Sequence, residues 1–477
     1  MKKDKMFRVF MIFLILLLVG CRSHSTDVLE FDSQNPIMIT IWHPYYGAQK
    51  LAFDEMVTEF NETEGYKKGI FVETVGHVNM NELVSNIMNS IKKKVGAAEL
   101  PDLFSAYADT AYYMDQLGLL ASLDDYMTEE EIQEYIDAYI EEGRSLTGSK
   151  LKIFPIAKST EIMMMNKTDW EPFAIETGAK LEDLTTWEGV IKTAKVYYDW
   201  SGGKAFFGRD AMANYMLVGS KQLGQEIFEV KNGQVQVQVH DDVMRKLWDC
   251  FYVPYVKGYY TAVGPFRSDD VKTGDIIAFV GSTSSMTYFP NKVVVDDQKS
   301  YPIESMVLPL PNFEGTLPHA VQQGAGMVVV KSDLLKERAS TEFLKWFTET
   351  ERNVQFSMRS AYLPVKKVAN DLNLIQDQLQ FCKEGDLKTS LCGALPLIFD
   401  QMKNSELYTS PVFSKGTSAR EILDNALLTK AKTDYKNILQ RMAQGQSREE
   451  AMETFLADEN FEQWLLELKI SLQVLLQ

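Results

Sequence analysis

Adjacent tyrosines are the first feature of this sequence that could support chemistry, because two neighbouring phenol groups can supply oxygen ligands to a metal ion. Such a site would need a nearby His or carboxylate as well, and no pair has one at a recognisable spacing. The pairs are Tyr45-Tyr46, Tyr112-Tyr113, Tyr197-Tyr198 and Tyr259-Tyr260. Four pairs in one chain favour half-buried aromatic positions, so we predict no metal site and no cofactor, and keep metal capture as an alternative.

Two short motifs could belong to an enzyme. Ser90 to Lys93 matches the Ser-x-x-Lys of penicillin-recognising enzymes, and Lys272-Thr273-Gly274 matches their Lys-Thr-Gly. However, Ser90 falls in the last turn of a predicted helix, whereas a nucleophile of that class opens its helix, and the connecting Ser-x-Asn or Tyr-x-Asn is missing. The five His residues form no His-Glu-x-x-His, and no phosphate loop occurs. We predict that the protein is not an enzyme, although paired glycosidase carboxylates stay open.

Length and charge restrict the class of protein further. A chain of 477 residues with 45% hydrophobic residues can bury a core in two lobes or more. Its 66 acidic residues outnumber the 49 basic ones, for a net charge of -17. Because nucleic-acid binding depends on clustered Lys and Arg, this balance argues against a nucleic-acid partner.

The first twenty residues differ from the rest in composition. A basic start is followed by an apolar run over residues 9–20, which is typical of a signal peptide and too short for a membrane span. The run ends in Leu18-Val19-Gly20-Cys21, which resembles the lipobox of bacterial lipoproteins. We therefore predict a signal peptide over 1–20, lipidation of Cys21, and a lipidated, polar spacer over 21–36. Two acyl chains on Cys21 would anchor the protein to the outer face of the cytoplasmic membrane.

The spacing of apolar residues after this spacer predicts alternating strands and helices. Capping patterns at Asn79, Thr128 and Thr186 predict helix starts. Strands are predicted over 37–42, 70–75 and 101–105, with helices over 49–60, 79–94, 128–142 and from 186. This alternation is typical of parallel sheets covered by helices, which bind ligands beyond the carboxyl ends of their strands. The sequence leaves open whether Cys382 and Cys392 pair, with Cys250 as a third candidate.

Several short segments follow one another in a characteristic order. They are Pro101-Asp102-Leu103-Phe104, Gly118-Leu119-Leu120, Leu123-Asp124-Asp125-Tyr126, Phe154-Pro155, Met165-Asn166-Lys167, Thr186-Trp187-Glu188, residues 272–279, 324–331, 339–347, 362–365 and 445–451. Taken in this order, over nearly all of residues 37–456, the chain resembles the extracellular solute-binding proteins of ABC importers, specifically the sugar-type family 1. With the lipobox, the resemblance also implies a bacterial lipoprotein.

This resemblance implies an α/β, two-lobe periplasmic-binding-protein-like fold of type II, whose discontinuous lobes are joined by crossing hinge strands. We expect crossings near Pro155, Gly281 and Gly324. The first lobe would contain residues 37–155 plus 281–324, and the second 156–280 plus 325–477. The implied function is capture of a solute, most simply a sugar, for delivery to permease subunits by a monomeric receptor.

The resemblance also implies where a solute would bind. Sugars are held by flat aromatic faces and by polar side chains that bind hydroxyls. The predicted ligand-binding residues are Trp42, Tyr45, Asp109, Ser159, Glu161, Ser282 and Gln323. The chain lacks the Trp that relatives often carry after Gly281, and Ala106 stands where maltodextrin binders have Trp. A non-sugar solute such as an amino acid, peptide or metal, or a sensory co-receptor role, therefore stays open.

Overall fold

A computed structural model describes residues 31–476, except 145, 147–148, 232–233 and 371–385, and describes only the backbone of 386–393. The predicted signal peptide, Cys21 and Cys382 lie outside the described residues, as does the side chain of Cys392. Cys250 is a buried free thiol. Within the described ranges, no helix is long and apolar enough to cross a membrane.

The described elements alternate between strands and helices over most of the chain. In chain order they are β1 (Ile37–His43), α1 (Gly47–Glu62), α2 (Glu64–Lys68), β2 (Ile70–Gly76), α3 (Met80–Ile91), β3 (Leu103–Ala106), α4 (Ala108–Gln116), α5 (Glu129–Gln133), α6 (Asp137–Arg144), β4 (Glu161–Asn166), α7 (Lys167–Thr177), α8 (Trp187–Trp200), β5 (Phe207–Arg209), α9 (Met212–Gln222), β6 (Phe228–Lys231), β7 (Gln234–Val237), α10 (Asp241–Val256), α11 (Arg267–Thr273), β8 (Ala278–Ser282), β9 (Lys292–Val294), β10 (Ser300–Pro302), β11 (Ser305–Leu308), β12 (His319–Val321), β13 (Gly326–Val329), α12 (Leu334–Phe347), α13 (Thr350–Ser360), α14 (Asp386–Asn404), β14 (Glu406–Tyr408), α15 (Gly416–Ala443), α16 (Arg448–Leu456) and α17 (Asp458–Leu476).

The first lobe is built on a four-stranded sheet in the order β13-β3-β1-β2. Strands β1, β2 and β3 are parallel, so their carboxyl ends share one edge, and β13 is antiparallel to β3. The cap predicted at Asn79 is present, because its side chain accepts a hydrogen bond from the backbone N–H of Glu82. Helices α1, α12 and α13 bury Phe53, Phe343 and Phe356 against one face of this sheet.

The second lobe contains a four-stranded sheet in the order β11-β4-β8-β5. Strand β5 is parallel to β8, whereas β4 is antiparallel to both β8 and β11, so this sheet is mixed rather than parallel as predicted. Because β4 runs against β8, the start of β4 at Glu161 lies beside the end of β8 at Ser282. Helices α8 to α10 and the C-terminal α15 and α17 cover this lobe in one continuous core.

The predicted division of the chain between the lobes is wrong for strands β11 and β13 and for helices α12 and α13. The chain does not return to the first sheet at Gly281, because β11 pairs with β4 in the second sheet. It returns only at Gly324, after which β13 pairs with β3 in the first sheet. Pairing with β11 satisfies the backbone groups along one side of β4, which would otherwise form an open sheet edge. The ranges 281–324 and 325–477 therefore do not each belong to one lobe.

Three segments connect the lobes side by side. Phe154 still pairs with Met327 of the first sheet, and β4 begins seven residues later, so the chain crosses close to the predicted Pro155. Between these points, Ser159 forms an antiparallel bridge with Gln323. Lys158 forms another with Leu363 in a third crossing segment. Short paired segments of this kind are typical of a hinge between domains.

Candidate functional site

A cleft of about 1510 Å³ lies between the two lobes. On the first-lobe side it is lined by residues that come within three positions after β1, β2 and β3, represented by Tyr46, Asn79 and Tyr107. On the second-lobe side it is lined by residues that follow β5 and β8, represented by Asp210 and Ser284. The cleft is therefore formed at strand ends, as expected for α/β sheets.

The first-lobe wall presents aromatic rings. Tyr46 precedes α1 and is 47% exposed, and Tyr107 precedes α4 and is 50% exposed. Tyr45 also lines the cleft but is only 5% exposed, because its ring packs against Phe53 and Tyr362. Tyr46 and Tyr107 consequently offer faces to a solute, whereas Tyr45 mainly supports the wall from behind.

Aromatic rings also reach the cleft from the second lobe. Phe266, which precedes α11, is 59% exposed. Tyr288 ends a short 3-10 helix after β8, and its ring stacks on Tyr46 of the opposite wall, with 5.2 Å between centroids and 15° between planes. The two lobes therefore already touch through aromatic faces at one point of the cleft.

Asp210 provides a carboxylate on the second-lobe wall. It follows β5 directly, and its Oδ1 accepts a hydrogen bond from the backbone N–H of Arg267 at 3.3 Å. Burial raises the pKa of Asp210 to about 6. The negative charge of Glu161 also raises this pKa, whereas the positive charge of Arg267 opposes the rise. The next residue, Ala211, has a left-handed backbone with φ of 49°, a conformation that costs a non-glycine residue energy and is often retained at functional sites.

A buried polar network lies behind the second-lobe wall. The Nη2 of Arg209 is 2.5 Å from Oε2 of Glu161, and both side chains are almost completely buried. The amide nitrogen of Asn214 donates to Glu161 Oε1 and to Gln323 Oε1, both at 2.9 Å. The Arg209 guanidinium also lies over the rings of Trp187 and Tyr215, each 5.4 Å from the ring centroid. This network ties the second sheet to the crossing segment that carries Gln323.

The structure places Trp42, Asp109 and Tyr45 in three different surroundings. Trp42 is 6% exposed and packs in the first-lobe core against the ring of His77, away from the lining of the cleft. Asp109 lies in the first turn of α4, and its Oδ2 accepts a hydrogen bond from Thr417 of α15 at 3.0 Å. Of the predicted set, Tyr45 is the residue that lines the cleft.

The remaining predicted residues lie at the hinge. Ser159 and Gln323 exchange two backbone hydrogen bonds, at 2.9 and 3.0 Å. Glu161 and Gln323 both bind Asn214, so the structure brings these two predicted residues together. The Ser282 hydroxyl caps the 3-10 helix after β8 by accepting from the backbone N–H of Ser284. Their polar groups are thus engaged with other parts of the protein.

The sequence reasoning missed Tyr46, Tyr107, Asp210 and Phe266 as cleft residues. Tyr46 belongs to one of the four tyrosine pairs, for which the sequence favours half-buried positions. Tyr107 directly follows Ala106, where maltodextrin binders have the Trp that this chain lacks. Asp210 had a usable signal, because it comes three residues after the apolar pair Phe206-Phe207. Phe266 had none, since it belongs to a loop without periodicity. In the portion of the chain that the structure covers, no group of three or more His, Cys, Asp or Glu residues could hold a metal ion.

Two α/β lobes, paired crossing segments and a cleft lined from both sides define a protein of the two-lobe solute-binding class. A family model described as bacterial extracellular solute-binding protein matches residues 55–381. The chain therefore belongs to the bacterial extracellular solute-binding proteins. This is a family of binding proteins rather than enzymes, and its members act outside the cytoplasm.

Solved structures share this fold at low sequence identity. A cyclic alpha-maltosyl-1,6-maltose binding protein from Arthrobacter globiformis matches with a TM-score of 0.64 and 15% identity, over 92% of this chain and 99% of that one. An ABC substrate-binding protein from Listeria monocytogenes in complex with cycloalternan matches with a TM-score of 0.64 and 16% identity, over 86% and 99%. UgpB from Mycobacterium tuberculosis in complex with glycerophosphocholine matches with a TM-score of 0.64 and 16% identity, over 86% and 98%.

Proposed function

We propose that this protein is the lipid-anchored receptor of an ABC importer, and that it captures a carbohydrate between its lobes and delivers it to the permease. The observation that carries this proposal is the meeting of aromatic rings from both lobes at one cleft. Exposed Tyr46 and Tyr107 come from the first lobe and exposed Phe266 from the second, whose half-buried Tyr288 stacks on Tyr46. Flat rings pack well against the C–H faces of a sugar.

Polar groups of the cleft fit the hydroxyls of the same ligand. Asn79, Asn81, Ser284 and Ser285 line the cleft and can donate or accept hydrogen bonds. Asp210 adds a carboxylate, which accepts stronger hydrogen bonds than a neutral group. A cleft with broad aromatic faces and a few convergent polar groups is the usual form of a small-molecule site.

The volume and the relatives favour a saccharide over a small ion. A cleft of about 1510 Å³ exceeds the usual range for a small-molecule pocket, so an extended ligand would fill it better than a single ion. Two of the similar structures bind cyclic saccharides, and a third binds glycerophosphocholine. At 15 to 16% identity these relatives support a polyol-type solute without naming it.

Calorimetry with a ligand panel tests the carbohydrate assignment. The purified protein would be titrated with mono- and oligosaccharides, and in separate arms with glycerophosphodiesters, amino acids, peptides and metal ions. A sugar that binds only the folded state should stabilise it by about 2.7 kcal/mol at a hundredfold excess over its Kd, which raises the melting temperature. Binding of a ligand from another arm, with no binding of any sugar, would reject the carbohydrate assignment but would be consistent with a solute receptor.

A second experiment separates import from sensing. Deletion of the gene should abolish uptake of the bound sugar if the protein delivers solute to a permease. A sensory co-receptor on the same fold would instead leave uptake intact and remove a transcriptional response. Normal uptake in the deletion strain would therefore reject the import role.

The lipid anchor is tested at Cys21, directly after the apolar run of the signal peptide. Cys21→Ser should prevent incorporation of labelled lipid and release soluble protein or leave an uncleaved precursor. Cys250→Ala is the matched control, because Cys250 is a buried thiol of the second-lobe core. Lipid labelling that persists in Cys21→Ser, or that disappears in Cys250→Ala, would contradict the proposed anchor site.

A further inference from the structure

A polar contact joins the lobes beside the cleft and outside the three crossing segments. Asp109 lies in the first turn of α4, which packs on the first sheet, whereas Thr417 lies at the start of α15, which packs on the second lobe. The Thr417 hydroxyl donates to Asp109 Oδ2 at 3.0 Å. Because α4 begins directly after Tyr107, this contact lies at the edge of the ligand cleft.

A side chain on Gly416 would collide with the carboxylate of Asp109 at this contact. A Cβ atom on Gly416, the first residue of α15, would lie 2.7 Å from Asp109 Oδ1 and 3.0 Å from its Cγ. The backbone conformation at residue 416 does not itself require glycine, because φ there is not positive. The glycine therefore permits the carboxylate of one lobe to approach the helix end of the other.

Electrostatics favour the same approach. Asp109 places a carboxylate at the amino end of a 28-residue helix, where unpaired backbone N–H groups and the helix dipole attract negative charge. Burial raises the pKa of Asp109, while the hydrogen bond from Thr417 and the charge of Arg420 lower it. The carboxylate is thus partly desolvated and held by groups of the opposite lobe.

Helix α15 connects this contact to the hinge. One turn after Gly416, the Nη2 of Arg420 donates to Asn214 Oδ1 at 2.8 Å. Asn214 in turn donates to Glu161 and to Gln323 of a crossing segment. A movement of the first lobe against α15 would therefore displace the side chains that hold the crossing segments in place.

We infer that Asp109, Gly416 and Thr417 form a latch that holds the two lobes together beside the cleft and sets how often the cleft opens. These residues act through lobe position and are positioning residues. This inference rests on the proposed two-lobe receptor, but it concerns the lobes without solute. A receptor that is closed for a larger fraction of time has a higher apparent affinity, because less binding free energy is spent on closure.

Two variants break the latch in different ways. Thr417→Val removes the hydroxyl and keeps the side-chain shape, whereas Gly416→Ala adds a methyl group against Asp109. Alanine is a better helix former than glycine, so Gly416→Ala does not weaken α15 itself. Thr429→Val is the matched control, since Thr429 is an exposed threonine of the same helix, three turns further along.

The test uses the full-length chain purified in detergent with no solute added, so that failure of the carbohydrate proposal does not affect it. Amide hydrogen exchange read by mass spectrometry should rise about 2- to 12-fold in the cleft-lining loops of both lobes in Gly416→Ala and Thr417→Val, the equivalent of one lost hydrogen bond. Thr429→Val should exchange like the unaltered protein.

Three results would overturn the latch. Exchange in the cleft loops could stay unchanged in both variants, or rise equally in Thr429→Val. Exchange could also rise only in α15 and the second-lobe helices packed on it, which would indicate local loosening of the helix rather than opening of the cleft. Each of these results would show that the Asp109 contact does not control lobe position.

Discussion

The two walls of the cleft present different chemistry and are supported in different ways. The first-lobe wall offers Tyr46 and Tyr107 from loops that rest on an apolar core. The second-lobe wall offers Asp210, and behind it lies the charged pair of Glu161 and Arg209. Charges near the second wall are costly to bury, so they must be paired, while rings on the first wall need no partner. We expect the first wall to supply contact area and the second to supply polar specificity.

The largest expected effect comes from breaking the support of the second wall. Glu161→Gln should lower the free energy of unfolding by about 3 to 5 kcal/mol, because it leaves the buried Arg209 charge without its counter-ion. Urea unfolding would measure this loss. Glu171→Gln is the matched control, since the Glu171 side chain is 58% exposed and its ion pair is at the surface. Equal stability of the two variants would contradict a structural role for Glu161.

A smaller effect is expected from the first wall, and in affinity rather than stability. Tyr46→Ala should weaken binding of the sugar identified by the panel by about 1 to 2 kcal/mol, through lost stacking area. Tyr66→Ala is the control, because Tyr66 is 77% exposed in α2 and does not line the cleft. Calorimetry would show the difference. A Tyr46→Ala protein with unchanged affinity would move the stacking surface to another ring.

The smallest expected effect is the pH dependence of Asp210. As the pH rises through about 6, Asp210 ionises and its hydrogen bonds to a neutral sugar should strengthen by about 1 kcal/mol. The stability of the unliganded protein should change in the opposite direction and fall as the pH rises. Because the raised pKa lets the folded state bind a proton that the unfolded state has lost, stability from this group is present below about pH 4 and lost as pH rises through about 6.

Asp210→Asn should flatten both pH profiles. Calorimetry would follow affinity, and thermal unfolding would follow stability, each between about pH 4.5 and 7. Differences between the two proteins isolate Asp210 from the other carboxylates, whose contributions are shared. Parallel profiles for Asp210→Asn and the unaltered protein would show that Asp210 neither ionises in this range nor contacts the solute.

The outcome of the site predictions follows from side-chain direction. Trp42 and Tyr45 are both predicted to lie just past the first strand, but the structure places Trp42 inside β1 and only Tyr45 after it. Along a strand, however, successive side chains point to opposite faces, and Trp42 points into the core beside Phe104. Each exposed ring lies one residue after a position that the sequence analysis considered. Tyr46 follows the predicted ligand residue Tyr45, and Tyr107 follows Ala106, where maltodextrin binders have Trp. Position along the chain was therefore predictable, whereas exposure was not.

The class of the fold, most strand and helix positions in the first lobe, and membership of the solute-binding family could be predicted from the sequence, because these depend on periodicity, capping residues and ordered local motifs. Three contacts could not be predicted in this way: β11 joins the second sheet, Arg209 neutralises Glu161, and Asp109 contacts α15 rather than lining the cleft. These contacts join residues 48 to 308 positions apart. Such pairings are selected by the packing of whole lobes, which no local pattern of residues encodes.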